Sequence, residues 1–297
     1  MGLSFKMNSN PEPSGMASTR PETPGTFQVK VVDRLSGLPW WLILLLLGGA
    51  ILAFQFASNE TYQQIFRRIL SGILVTLSIT ALGYSCALVL GLLAGLGRVS
   101  KNVVLFNLST LYVQVVRGIP MLVQIFYWGF VIFPGLIGLL NVFGDMLAPA
   151  LGADNVLAKI KPSDINLYWV VVIALAFAYG GYEAETFRAG IESIGKGQVE
   201  AARSLGMTYF QAMRFVVLPQ AIRRVLPPLG NDLISMLKDS SLASVLGVRD
   251  ITQEARLYAS TTFRYVEAYN SLAFIYLTLT LTLSLLTRWI ETRWKQL

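Results

Sequence analysis

Glu183, Glu185 and Arg188 sit in a run of residues that is otherwise apolar, and Asn231, Asp232, Lys238, Asp239 and Ser240 follow in a second such run. An ionised group at the centre of a bilayer costs at least about 2.5–3.5 kcal/mol, so such groups pair with one another or face a watered cavity. Glu185 and Arg188 are i, i+3 neighbours on a helix and can neutralise each other. Glu183 lies about 200° around the same helix from Glu185. It cannot share that pair equally, which leaves it as the carboxylate available to a cation such as a solute ammonium. Lys238 and Asp239 are adjacent and point apart by about 100° on a helix, so each pairs with another element or sits at a break. Asn231, Ser240 and Ser241 can bond helix to helix as readily as they bind a solute. Earlier in the chain, Arg117 is followed by Pro120 and then Gln124. The arginine can snorkel to an interface or take part in gating and solute passage. The proline removes a helix hydrogen bond and can bend the chain there.

The missing residue types exclude other chemistry. Histidine is absent and Cys86 is the sole cysteine. The commonest general base and metal ligand are therefore gone, and no internal disulfide or thiolate metal cluster can form. An intramembrane enzyme would have to work with carboxylates and Ser240 or Ser241, and no acid–base or nucleophile constellation joins them. No G-x-x-x-x-G-K-S/T sequence occurs, so the chain cannot itself be a P-loop ATPase.

The elements that position these groups are read from the composition. Of 297 residues, 54% are hydrophobic and 14% charged, against about 25% charged in a soluble domain. A bilayer core about 30 Å thick needs roughly 20 apolar residues as helix. Runs of that kind start at Pro39, at Ile69, at Val103 (ending near Pro134), at Leu167 and at Ala268, and a weaker one follows Pro227-Pro228. The spacing predicts an all-α membrane protein with six transmembrane helices. In the resulting path the inner segments hold fourteen Lys and Arg against seven outside, which puts both termini in the cytoplasm. The basic excess, 24 against 17, belongs to those loops and does not imply nucleic acid. Residues 1–37, rich in Pro, Ser and Thr, read as a disordered cytoplasmic tail. Residues 38–68 form an N-terminal span with an interfacial segment, 69–290 the main body, and 291–297 a cytoplasmic C-terminus.

Between the fourth and fifth runs lies a cytoplasmic segment, 192–224, too polar to cross and too patterned to be a linker. VEAARSL is a strong helix former, and Gly206 supplies a bend. Phe210, Met213 and Val217 then give a second short helix one apolar face, and Pro219 is expected to end it. Two short helices around a glycine make a knob for a partner's groove.

Here a resemblance becomes specific. Glu200-Ala201-Ala202, three residues, Gly206, nine residues and Val216-Val217-Leu218-Pro219 resemble the EAA loop of ABC importer permeases, with Val216 where that pattern has Ile. Arg117-Gly118-Ile119-Pro120 with Leu122-Val123-Gln124, Ala184-Glu185 with Arg188-Ala189-Gly190-Ile191, and Lys238-Asp239-Ser240-Ser241-Leu242 resemble further motifs of the histidine/glutamine/glutamate permeases. The resemblance covers about residues 65–290 and implies a five-helix permease core to which one N-terminal span is added. It further implies a transport subunit of a polar amino acid importer in the bacterial inner membrane. No cofactor is expected in this chain, with ATP and Mg on partner ATPase subunits. Expected partners are two such subunits docked on Glu200, Ala201, Ala202, Gly206, Leu218 and Pro219, an extracytoplasmic solute-binding protein, a polar amino acid, membrane lipid, and a second permease, for which the extra span and tail favour a related chain over a copy while both arrangements occur in the family. A channel or secondary transporter would explain the spans and the carboxylates but not the loop.

Overall fold

The computed structural model describes residues 40–148 and 156–295, and these are helix and connecting turn with no strand among them. The expected tail, 1–37, lies outside the described residues. Two units divide the chain after Ala50. The described part of the first is the opening half of α1 (Trp40–Ser58), which is wholly apolar through Ala50.

The second unit begins within α1. Asn59 accepts from the Thr61 amide and starts α2 (Glu60–Leu70). After the elbow at Ser71-Gly72 comes α3 (Ile73–Arg98). Asn102 caps α4 (Val103–Gly118), accepting from the amides of Val104 and Leu105 at 2.9 and 3.2 Å. The chain then breaks at Ile119-Pro120 and resumes as α5 (Met121–Tyr127) and α6 (Phe133–Met146), joined by a π turn at Trp128–Ile132. Asn166 caps α7 (Leu167–Glu192). The remaining helices are α8 (Lys196–Ser204), the short α9 (Tyr209–Ala212), α10 (Leu218–Asp239), α11 (Ile251–Thr262) and α12 (Tyr265–Lys295).

Among the described residues, four stretches are long and apolar enough to cross a membrane: Glu60–Arg98, Met121–Met146, Leu167–Glu192 and Tyr265–Arg293. Ile43–Ser58 and Val103–Gly118 are shorter apolar helices. Two boundaries differ from the sequence reading, and for one reason. Pro134 does not end a helix and neither does Pro219; each falls in the first turn of a helix that continues, α6 and α10. Both follow a π turn directly, Trp128–Ile132 and Met213–Val217. A proline in a regular helix lacks a donor and its ring meets the carbonyl four residues back. A π turn re-registers the preceding carbonyls to i+5 partners, and the axis carries on. Pro227 and Pro228 lie inside α10 without such a turn.

Helices α3 and α7 pack parallel along their length. Gly83 of α3 faces Val172 and Leu175, Gly91 faces Glu183, and Gly95 faces Ala184 and Phe187. Small residues let two backbones approach in this way where lipid offers no hydrophobic driving force. Ile79, Tyr84, Leu175, Tyr179, Met236 and Leu246 belong to the core around that pair. A separate cluster, with Ile65, Ile69, Ile251, Ala255 and Leu272, joins α2, α11 and α12. The two meet at the Gly72 elbow, where the Ile251 amide donates to Thr76 Oγ1 at 3.2 Å. Asp250 caps α11 there, and burial pushes its carboxyl up to about 6. A Cβ on Gly72 would stand 2.5 Å from the Asp250 carbonyl carbon and 2.7 Å from the Ile251 nitrogen, both backbone atoms that cannot swing aside. Gly72→Ala is therefore expected to destabilise by about 1–3 kcal/mol. Gly138→Ala, with open space around the new methyl, serves as the control in thermal unfolding of the detergent-solubilised protein.

Candidate functional site

The polar groups named from sequence fall into three places. The first is the knob. Helix α8 ends in a Schellman turn: the Gly206 amide donates to the Arg203 carbonyl at 3.0 Å and the Met207 amide to Ala202 at 3.2 Å. Gly206 closes it with φ of 83°, the left-handed region that a glycine enters without strain. Thr208 then starts α9 in a capping box with Gln211, amide to Oε1 at 2.8 Å and amide to Oγ1 at 3.3 Å. That box was legible as Thr-x-x-Gln and was missed in the reading by apolar spacing. The bend sorts the side chains. Ala202 is buried, and Val217 and Ala221 pack on Ile194. Leu205, Tyr209, Phe210 and Phe215 stand out at 81%, 61%, 72% and 63% exposure. Glu200 is exposed, Ala201 exposed and Leu218 half-exposed. Pro219, expected to stop the second helix, instead sits in the first turn of α10. The knob is thereby continuous with a long helix. Its other root is held by Arg224, whose guanidinium donates to the Ser193 carbonyl at the end of α7.

The second place is a charge cluster next to that root. The expected Glu185–Arg188 pair is present. Glu185 also accepts from Arg98 of α3, and Arg117 of α4 stands 3.8 Å away. Arg188 in turn meets Glu192. One carboxylate thus ties three helices together. Arg117 is the loosest member, half exposed, with its guanidinium carbon 5.8 Å from the Tyr182 ring centroid. Gln124 is not in this cluster. Its amide donates at 2.8 Å to the carbonyls of both Val116 and Ile119. It satisfies oxygens that the break at Pro120 leaves without helix partners, which makes it a positioning residue for Arg117's helix end.

The third place is deeper. Glu183 is fully buried; its carboxylate makes no hydrogen bond of regular geometry among the described residues, and the Tyr84 hydroxyl is the polar group that interacts with it. Gly91 lies against its Cβ, so α3 fixes the base of the side chain. The Tyr84 hydroxyl beside it donates to the Leu229 carbonyl at 2.6 Å. Asp232 on α10 is near enough to interact with Glu183 electrostatically. Toward the end of α10, Tyr179 donates to Asp239 Oδ2 at 2.8 Å. Of the remaining candidates, Asn231 and Lys238 are exposed. Ser240 is buried and donates to the Leu237 carbonyl at 2.8 Å where α10 passes into a 3₁₀ segment, Ser240–Leu246. Of the two alternatives for Lys238 and Asp239, both have a place: Asp239 pairs with Tyr179 of α7, and the two residues end α10, where Ser240 bonds back to the last turn. No cluster of His, Cys, Asp and Glu that could hold a metal occurs among the described residues.

Comparison with known proteins joins these places. Residues 87–296 match the family described as binding-protein-dependent transport system inner membrane component. The chain is 35% identical over 221 residues to the probable amino-acid permease protein YxeN of Bacillus subtilis, covering 74% of this chain and 88% of that one. It is 34% identical over 227 residues to the glutamine transport system permease protein GlnP of Escherichia coli, covering 76% and 93%. A chain in the crystal structure of an amino acid ABC transporter with histidines superposes with a TM-score of 0.63 at 37% identity, covering 80% of this chain and 98% of that one. The knob, the arginine-bound carboxylate and the buried acid all fall inside the matched residues, and the chain belongs to the family of inner membrane components of binding-protein-dependent transport systems.

Proposed function

We propose that the chain is a permease subunit of an ATP-driven importer of polar amino acids in a bacterial inner membrane. It crosses six times with both termini inside, lines half of the solute path and carries no ATPase of its own. Two ATPase subunits, holding ATP and Mg, dock on residues 192–224. A related permease completes the path, and an external binding protein delivers solute. The observation that carries this reading is the knob: a glycine-closed turn that exposes Leu205, Tyr209 and Phe210 while its roots run directly into α7 and α10. A soluble partner's groove would cover those side chains. The parallel packing of α3 and α7 supports the path count, because the chain between them must then return across the membrane. The amino acid permeases among the relatives support the solute class.

Labelling tests the orientation. With Cys86 replaced by serine, Ser163→Cys is expected to react with an impermeant thiol reagent from outside, and Ser204→Cys only after the membrane is opened. Reversed labelling would overturn both the orientation and the docking assignment. Amino acid uptake into proteoliposomes should need ATP and the ATPase subunits. Flux without ATP would make the chain a channel or secondary transporter.

A further inference from the structure

We infer that α11, the neighbouring α2 and the start of α12 form an external docking platform, with Phe263 as its anchor and Arg67, Arg249 and Arg256 as its charges, and that its occupant is the solute-binding protein through an acidic face. The inference rests on the importer reading and gives that partner its contact surface on this chain.

The platform faces water. Helices α2 and α11 each turn one side into the cluster with α12, where Ile65, Ile69, Ile251, Ala255 and Ala259 are buried. Their other sides are polar. Glu60, Gln64 and Arg67 recur at i, i+4 and i+7 on α2, Arg256 and Ser260 at i and i+4 on α11, and all of them are exposed. The spans instead expose residues such as Leu74, Leu93, Phe130 and Leu139. Hydrocarbon offers polar groups no partner, so the polar faces lie beyond it. They adjoin the start of α3 at Gly72, the end opposite Arg98, which is the outer side in the proposed orientation.

The charge on these faces lacks an internal counter-charge. Of the seven outer Lys and Arg, Lys159 and Lys161 lie elsewhere and the other five are here: Arg67, Arg68, Arg249, Arg256 and Arg264. Arg68 pairs with the buried Glu254 at 2.8 Å, and Arg264 donates to Thr61 Oγ1 at 2.7 Å, tying α2 to the turn after α11. Arg67, Arg249 and Arg256 are exposed and in no ion pair among the described residues. The one exposed acid among the described residues of α2 and α11 is Glu60. Basic residues outside run against the bias that sets membrane orientation. Three of them left open on one water-facing surface fit an acidic partner, which such a patch also steers into place.

Phe263 supplies the anchor. Its φ of 59° lies in the left-handed region, and its amide donates to the Ala259 carbonyl at 2.8 Å to close α11. Glycine is usual at that position and a bulky side chain is strained there. No packing within this chain offsets the strain, because Phe263 is 80% exposed. Strained residues collect at functional positions, and an exposed aromatic among arginines has the composition of an interface hot spot.

The test begins with the photo-crosslinker p-benzoylphenylalanine in place of Phe263, in cells producing the full-length chain. The adduct should contain a solute-binding protein, identified by mass spectrometry, and the same crosslinker in place of Ser204 on the knob should not capture it. That binding protein is then titrated onto the complex purified through the full-length chain. Arg67→Glu combined with Arg256→Glu should weaken binding at least about tenfold at low salt, and high salt should weaken the unmodified complex as well. Phe263→Gly should weaken binding about tenfold with the melting temperature unchanged or higher, since glycine relieves the strain. Adducts with lipid alone, capture of the binding protein from Ser204 instead, unchanged binding in the charge-reversed complex, or a loss in Phe263→Gly that tracks a fall in melting temperature would each overturn the inference. ATP-driven uptake on the same preparation separates the two readings. Uptake that needs the binding protein yet is unchanged by these variants removes the platform and leaves the importer. Flux that needs neither ATP nor the binding protein removes both.

Discussion

Gly206→Val is expected to abolish ATP-driven uptake while the chain still inserts and accumulates in the membrane. Gly206 has φ of 83° and nothing within 4 Å of where a Cβ would be, so the effect is conformational and not a clash. The left-handed region costs an ordinary residue about 1–2 kcal/mol, and more when the side chain is β-branched. Relief comes by unwinding the turn, which gives up the Gly206–Arg203 and Met207–Ala202 hydrogen bonds. The exposed Leu205 and Phe210, on either side of the turn, would then lose their fixed relative placement. Gly206→Asn, which tolerates this region better, should retain part of the activity. Glu200→Lys, a charge reversal on the same helix, should weaken ATPase association and leave the turn alone. Uptake assays with co-purification of the ATPase subunits check all three. Normal uptake by both Gly206→Val and Glu200→Lys would remove the loop's role.

Much of that knob was legible in the sequence because its determinants are local. Glycine at a turn, alanines in a helix and an apolar face at short spacing act within a few residues of one another. The continuation through Pro219 was hidden, since a proline read alone signals a stop and the π turn that accommodates it leaves no marked residue pattern. The deeper sites were hidden for a different reason. Arg98 was counted as a loop charge, and nothing near it announces a partner 87 positions away. Glu183 was singled out because no cation lies at helical spacing from it. That the bundle closes around it with the Tyr84 hydroxyl and no cation beside it is a tertiary fact, as is its contact with Gly91.

Glu185→Gln is the second large effect expected. The substitution keeps the shape and leaves Arg98, Arg188 and Arg117 without their shared counter-ion. The Arg98 side chain is only 13% exposed and its Nε is already unpartnered. Removing one member of a fully buried pair costs about 3–5 kcal/mol. Partial exposure of Glu185 screens this one, so roughly 2 kcal/mol is a fair scale. The expected result is lower yield of folded protein and a lower melting temperature in detergent. Arg117→Ala removes the half-exposed member and should cost no more than about 1 kcal/mol. Equal losses from the two variants would show that Glu185 is not the centre of the cluster.

The adjacent prolines in α10 have a mechanical consequence. Pro227 and Pro228 cannot donate to the carbonyls of Arg223 and Arg224, so two successive rungs of the helix ladder are missing while the helix remains continuous. Bending there breaks no ladder hydrogen bond at those two rungs, although the arm is held to the end of α7 by Arg224 and Ser193. The helical arm from Pro227 back to the tip at Thr208 is about 28 Å long at roughly 1.5 Å per residue. A tilt of about 10° at the prolines sweeps that tip through about 5 Å, close to one helical pitch. The arm beyond the joint, from Leu229 to Asp239, carries the Tyr84 and Tyr179 contacts. A tilt at the prolines would make them a fulcrum, with the exposed aromatic tip as the long end and the Tyr84 and Tyr179 contacts as the short one. A few ångströms of travel at the tip would then become a smaller, more forceful displacement at those contacts.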